Sequence, residues 1–119
     1  MGELASHTEL IPKAMQDGEV LSVAIRGEID LQTSPDLRTG LIDLYTRAKP
    51  KKLILNLSQV PYMDSSAIAV LVEALQRLRK TGGKMCLTNL QPRVKGLLEI
   101  ARLDTIFTLA KDEEEAKKK

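Results

Sequence analysis

The chain is poor in the residues that most metal centres and many catalytic sites require. It holds one cysteine, Cys86, and one histidine, His7, in 119 residues. A zinc cluster needs several Cys or His ligands, and a histidine-based triad needs a histidine inside the fold, whereas His7 falls in the polar opening segment. A lone cysteine cannot form an intrachain disulfide, which is typical of a reducing compartment. We therefore expect no bound metal, no cofactor, and a small buried hydrophobic side chain at Cys86.

Aromatic residues, net charge and long apolar runs are also scarce. Aromatics make up 3% of the chain and Trp is absent, so the stacking platforms that bind single-stranded nucleic acid are missing. Eighteen basic and sixteen acidic residues give a formal net charge of +2, too slight to indicate nucleic acid or an anionic membrane as a partner. No run approaches the about 20 apolar residues of a spanning helix, and no targeting leader is visible. We expect a cytoplasmic protein with no direct nucleic-acid contact and no membrane insertion.

Basic residues nevertheless cluster near the ends of predicted helices. There, positive side chains offset the negative pole of the helix dipole. A solvated face is therefore favoured over a nucleic-acid site. The two clusters are Arg47, Lys49, Lys51, Lys52 and Arg77, Arg79, Lys80, Lys84.

Strand and helix patterns alternate along the chain. At 43% hydrophobic, the chain is long enough for one domain with a single core. The pair Asp17-Gly18 between "LIPKAM" and "EVLSVAIRG" predicts an antiparallel hairpin, and Pro12 indicates an edge position for its first strand. Ser34 and Pro35 predict a helix cap and the first helical position. "KKLILNL" is typical of an interior strand covered on both faces.

The second half of the chain continues the alternation. Leucines and other apolar residues from Ile68 to Leu78 recur at helical spacing, and Gly82-Gly83 predicts a left-handed end to that helix. "KMCLTN" is typical of a strand, "QPRVKGLLEIARL" of a helix beginning at Pro92 with Ala101 on its apolar face, and "TIFTLA" of a last strand. The sequence therefore predicts an α/β fold in which helices pack against a mixed sheet.

The stretch Asp64-Ser65-Ser66 begins the second predicted helix. Asp64 can accept hydrogen bonds from the free N–H groups of the first turn, which leaves both serines inside that turn. Ser65 as a catalytic nucleophile would need a general base, and the one histidine lies in the leader. Gly82-Gly83-Lys84 leads into a strand rather than a helix, which argues against a phosphate loop. We expect no catalytic residue and no enzyme activity.

Together, the order of elements and this motif resemble the STAS domain, and most closely the bacterial anti-sigma factor antagonists. The resemblance is carried by "GEID", by "LILNLSQVPYMDSSAIAVL" and by "GGKMCLTNLQPRVKGLLEIARLDTIF". It implies a flexible leader over residues 1–8, a STAS-like domain over 9–110, and a charged C-terminal tail over 111–119. We interpret the tail as solvated, because its acids and lysines balance.

The resemblance also implies a site and a mechanism. Ser65 is the position that an ATP-dependent kinase phosphorylates in the family, with Ser66 as a minor alternative, and Asp30 lies beside the partner-binding face. The implied partner-binding residues are Asp30, Asp64, Ser65, Ser66 and Ala67. Relatives usually have Gly where this chain has Ala67, and the added methyl group could obstruct close approach by a kinase.

Three functions are compatible with these features. The first is an antagonist that binds an anti-sigma factor serine kinase when unphosphorylated, is released when Ser65 is phosphorylated, and is restored by a serine phosphatase. The second is a STAS accessory subunit of a membrane lipid-transport ATPase, which the departure at Ala67 favours. The third is a domain that senses a small ligand, which no residue of the sequence specifically supports.

Overall fold

The strands and helices follow one another in the predicted order, with one further element at each end. The computed structural model describes residues 2–119. The strands are β1 (Gly2–Glu3), β2 (Lys13–Asp17), β3 (Val20–Arg26), β4 (Lys52–Gln59), β5 (Lys84–Thr88) and β6 (Thr108–Ala110). The helices are α1 (Ser34–Ala48), α2 (Ser65–Lys80), α3 (Pro92–Ile100) and α4 (Glu113–Lys118).

All six strands form one sheet in the order β1-β2-β3-β4-β5-β6. The β1, β2 and β3 strands pair antiparallel, whereas β3, β4, β5 and β6 pair parallel. The parallel strands are joined in turn by α1, α2 and α3. This arrangement confirms the predicted mixed sheet with packed helices.

The central strand β4 is covered on both faces, as its apolar run predicts. Leu53, Leu55 and Leu57 belong to the main core, and each is at most 1% exposed. Side chains alternate between the faces of a strand, so Ile54 points to the other side, where it packs with Cys86, Ala110 and Ala116. The burial of Cys86 confirms its predicted role as a small core residue.

The position predicted from Pro12 needs correction. Pro12 lies just before β2 rather than in an edge strand, and β1 pairs beside β2, so β2 is the second strand of the sheet. The opening segment then crosses α1 at Gly40, where an added Cβ would lie 2.8 Å from a methyl carbon of Thr8. Glycine therefore permits this close approach and offsets its low helix propensity.

The ends of two helices also differ from the prediction. Thr33, not Ser34, is the residue that precedes α1, because Asp30 folds the loop back by accepting from the N–H of Thr33 at 3.0 Å. Ala101 is exposed and follows the end of α3 instead of facing the core. By contrast, the end of α2 is as predicted: Gly82 has φ +79, and the N–H of Gly83 donates to the Leu78 carbonyl at 2.7 Å.

Both chain ends contain regular structure where a leader and a solvated tail are predicted. β1 lies within the leader, and the tail forms α4, in which Ala116 is fully buried. Lys52 Nζ donates to the Ala116 carbonyl at 3.0 Å and to the Lys117 carbonyl at 3.3 Å. The methyl group of Ala116 packs against the second face of the sheet, a contact that the balanced charges of the tail do not predict.

Candidate functional site

The first turn of α2 is held by the carboxylate of Asp64, as the sequence predicts. Asp64 has extended backbone angles, and its Oδ1 accepts from the N–H of Ser66 at 2.9 Å and of Ala67 at 3.4 Å. The Ser66 hydroxyl donates to the same oxygen at 2.5 Å. Two N–H groups of the helix start and one serine hydroxyl are therefore already bound.

The same carboxylate joins α2 to the loop between β3 and α1. Asp64 Oδ2 accepts from the N–H of Leu31 at 3.1 Å. The backbone adds a parallel bridge between Ile29 and Met63, and the N–H of Asp64 donates to the Ile29 carbonyl at 3.1 Å. The loops that follow β3 and β4 thus form one connected surface at the carboxyl ends of the parallel strands.

Hydrogen bonds lower the pKa of Asp64 below its ordinary value of 3.8. The Ser66 hydroxyl contributes most, and the N–H groups of Ser66, Ala67 and Leu31 add to it, while partial burial opposes them. Each of these donors favours the ionised form. Asp64 is therefore a carboxylate near neutral pH and carries a full negative charge beside the helix start.

Asp30 lies in the adjoining loop and turns toward its own backbone. Its Oδ1 accepts from the N–H groups of Gln32 at 2.9 Å and of Thr33 at 3.0 Å, and the N–H of Asp30 donates to Thr33 Oγ1 at 2.9 Å. This carboxylate shapes the loop rather than contacting α2. The structure nevertheless brings Asp30 and Asp64 into neighbouring loops on one side of the molecule.

The two serines differ in exposure and bonding. Ser65 is exposed, and among residues 2–119 its hydroxyl makes no hydrogen bond, whereas Ser66 is half-buried and bonded to Asp64. Ser65 is therefore the hydroxyl that another protein can reach.

Ala67 departs from its predicted place at the partner surface. It is 0% exposed and belongs to the main core. Its methyl group thus faces inward, away from any docking protein, which removes the steric objection that the sequence raised.

One residue of this surface is missed by sequence reasoning. Leu31 is 78% exposed and its N–H binds Asp64, so its apolar side chain lies in solvent close to the start of α2. The available signal was a single leucine among the polar residues of "EIDLQTS". Nearby, the guanidinium of Arg93 lies 4.8 Å from the ring centre of Tyr62, which connects the loop after β4 to the first turn of α3.

This arrangement presents a hydroxyl, two carboxylates and an apolar side chain to solvent. Within residues 2–119, no group of three or more His, Cys, Asp or Glu residues is placed to hold a metal ion. In the same part of the chain, no helix has the length and apolar character to cross a membrane.

Comparison with known proteins identifies the family. The STAS domain model matches residues 12–116, which covers most of the chain, every element from β2 to β6 and the first part of α4. The chain belongs to the STAS domain family.

Two relatives contain a similar STAS domain sequence in different kinds of protein. The anti-sigma-B factor antagonist of Bacillus subtilis (strain 168) is 33% identical over 95 residues, which is 80% of this chain and 85% of that protein. YvdB of the same strain, named as a candidate sulfate transporter, is 36% identical over 83 residues, or 70% of this chain. The matched region spans only 16% of YvdB.

Solved structures share the fold. A candidate anti-sigma factor antagonist from Thermotoga maritima has a TM-score of 0.84 at 22% identity, over 92% of this chain and 93% of that one. The Bacillus cell fate determinant SpoIIAA, solved in its phosphorylated form, has a TM-score of 0.65 at 22% identity, over 87% of this chain and 93% of its own. At these identities the likeness shows the fold alone.

Proposed function

We propose that this STAS protein is an anti-sigma factor antagonist controlled by phosphorylation of Ser65. In its unphosphorylated state it binds a serine kinase that also acts as an anti-sigma factor, and phosphorylation releases it. A serine phosphatase restores the binding state. A relative from Bacillus subtilis that matches over most of both chains is named an anti-sigma-B factor antagonist, which supports the general class.

The observation that carries the choice of residue is the contrast between the two serines. A kinase needs a hydroxyl that it can enclose, and Ser65 is exposed and free of hydrogen bonds within residues 2–119. Ser66 would first have to release its 2.5 Å bond to Asp64, which would also weaken the start of α2. The burial of the Ala67 methyl group leaves the approach to Ser65 open.

The surroundings of Ser65 explain how a phosphate would alter binding. A phosphoserine carries about −1.5 to −2 charge at neutral pH. The positive end of α2 helps to accommodate this charge, so the fold is retained. A partner that contacts Asp64 and the exposed Leu31 would, however, have to desolvate the phosphate beside an existing carboxylate.

The proposal implies a regulatory protein rather than an enzyme. Its chemistry is supplied by the kinase, with ATP as co-substrate, and by the phosphatase. Both reactions and the sigma factor are cytoplasmic, so we infer the same location for this chain. The named antagonist relative favours this function over an accessory role in a lipid-transport ATPase.

Phosphorylation assays test the proposal directly. The wild-type chain and the Ser65→Ala and Ser66→Ala variants are incubated with ATP and the purified anti-sigma factor serine kinase of the source organism. Intact-mass spectrometry should show one added phosphate on the wild-type chain and on Ser66→Ala, and none on Ser65→Ala. Phosphate on Ser65→Ala, or none on the wild-type chain, would contradict the assignment.

Binding measurements test the release step. Ser65→Asp introduces negative charge, and Ser65→Asn provides a neutral control of similar size. We expect Ser65→Asp to weaken kinase binding about 5- to 150-fold, corresponding to about 1–3 kcal/mol, while Ser65→Asn retains most of the affinity. Equal affinities of the two variants would show that charge at this position does not control docking.

A further inference from the structure

The last helix, α4, packs on the second face of the sheet, where it contacts β4, β5 and β6. The other three helices contribute to the main core on the opposite face. Of the six residues of α4, Ala116 alone is buried. Its methyl group meets an apolar strip that consists of Ile54, Cys86 and Ala110. The apolar contact that attaches α4 to the domain is therefore very small.

Polar contacts fix the end of α4 over this strip. Lys52 Nζ donates to the carbonyls of Ala116 and Lys117 at 3.0 and 3.3 Å, and Lys119 Nζ donates to the Leu109 carbonyl at 3.0 Å. Hydrogen bonds that water can replace contribute little net stability, because the same groups bind water when they separate. These contacts therefore orient α4 more than they hold it down.

The helical form of α4 depends on this docking. Isolated helices shorter than about 12–15 residues are marginal in water, and α4 has six residues. Asp112 caps it by accepting from the N–H of Glu115 at 2.9 Å, and Glu113 pairs with Lys117 at 3.8 Å. Exposed contacts of this kind add only a few tenths of a kcal/mol each. We expect α4 to lose its helical structure when it leaves the sheet, so that undocking and unfolding form one step.

Open space lies on both sides of α4. A groove of about 620 Å³ separates it from β2 and β3, and a space of about 240 Å³ lies beside its end, next to β5. Its main contacts are with the strands beneath it rather than with another helix. Movement of α4 away from the sheet therefore does not require any other helix to move.

We propose that α4 is a strap that lifts from the sheet while the rest of the domain stays folded, and that it controls access to the apolar strip. Lifting removes one buried methyl group and three hydrogen bonds and leaves the main core intact. Such local opening requires far less free energy than global unfolding. Cys86 is 2% exposed beneath the docked strap, so its thiol reports the open state. The inference does not depend on the role of Ser65.

Alkylation of Cys86 by iodoacetamide, followed by intact-mass spectrometry, measures this opening, because the chain has one cysteine. Contacts of this size correspond to a reaction up to about 1,000-fold slower than that of the chain unfolded in urea. Reaction through global unfolding alone would be at least about 5,000-fold slower. The rate should also change little at low urea concentration, since local opening exposes little surface. Protection of at least 5,000-fold, or a rate that rises with urea as steeply as global unfolding does, would overturn the proposal.

Two alanine-to-glycine variants provide the second arm. Ala116 and Ala67 are both helical and 0% exposed, so each substitution removes a buried methyl group and lowers helix propensity. Ala116→Gly should speed alkylation about 10- to 20-fold, because it weakens the strap itself. Ala67→Gly destabilises the main core instead and should react at the wild-type rate. Equal acceleration by both variants would show that global unfolding exposes Cys86. No acceleration by Ala116→Gly would show that the reagent reaches Cys86 without movement of α4. Either result would overturn the proposal.

Discussion

Substitution of Ala67 by glycine separates two interpretations of this position. The resemblance to the family suggests that the methyl group faces a docking kinase, whereas the structure buries it completely in the main core. In the first case Ala67→Gly should improve phosphorylation. In the second it should reduce stability and leave the reactivity of Ser65 unchanged.

The expected loss of stability has two contributions. Glycine in a helix is less favourable than alanine by roughly 0.5–1 kcal/mol. Removal of the buried methyl group from the core costs about 0.8 kcal/mol more. The sum is about 1.3–1.8 kcal/mol, which for a domain of this size lowers the melting temperature by roughly 5–7 °C.

Ala69→Gly is the matched control because Ala69 lies on the exposed side of the same helix. It loses helix propensity without losing a buried contact. In urea, the free energy of unfolding of Ala67→Gly should therefore be about 0.8 kcal/mol lower than that of Ala69→Gly. Both variants should be phosphorylated at Ser65 at equal rates. Equal stabilities, or faster phosphorylation of Ala67→Gly alone, would refute the argument from burial.

Three further predictions concern the scaffold. Gly96→Ala should raise the free energy of unfolding in urea by about 0.5–1 kcal/mol, because the added Cβ meets no atom within 4 Å. Gly83→Ala should lower it, because the added Cβ would lie 3.1 Å from a main-chain oxygen. Because the pKa of Asp64 is lowered in the folded protein, its carboxylate stabilises the fold fully above the ordinary pKa of 3.8, and this stabilisation is lost as the pH falls through the lower pKa of the folded state. When the free energy of unfolding is measured against pH, Asp64→Asn should therefore flatten the acidic part of the curve. Lys52→Met should speed alkylation of Cys86, since it removes the bonds that hold the end of α4.

Strong local patterns made most of the fold predictable. The apolar run of β4, the spacing of leucines in α2 and the turn at Asp17-Gly18 each depend on neighbours in sequence. The helix cap at Asp64 is equally predictable, because Asp is strongly preferred at the residue that precedes a helix. These local features alone predict that both serines lie at the start of a helix.

Features that depend on distant segments escaped prediction. Contact of Leu31 with Asp64 requires the loops after β3 and β4 to meet, and the docking of α4 depends on how one alanine fits a surface made by two strands. The burial of Ala67 could have been found, since it lies four residues before Leu71 and shares its helix face.

The bond from the N–H of Leu31 to Asp64 means that the exposed Leu31 and the helix start that carries Ser65 are held by the same carboxylate. In the proposed complex, the docking protein would meet a surface whose parts are already assembled, so little chain entropy would be lost on binding. Preorganisation of this kind makes recognition sensitive to a change in one side chain, because a rigid footprint cannot rearrange around an added charge.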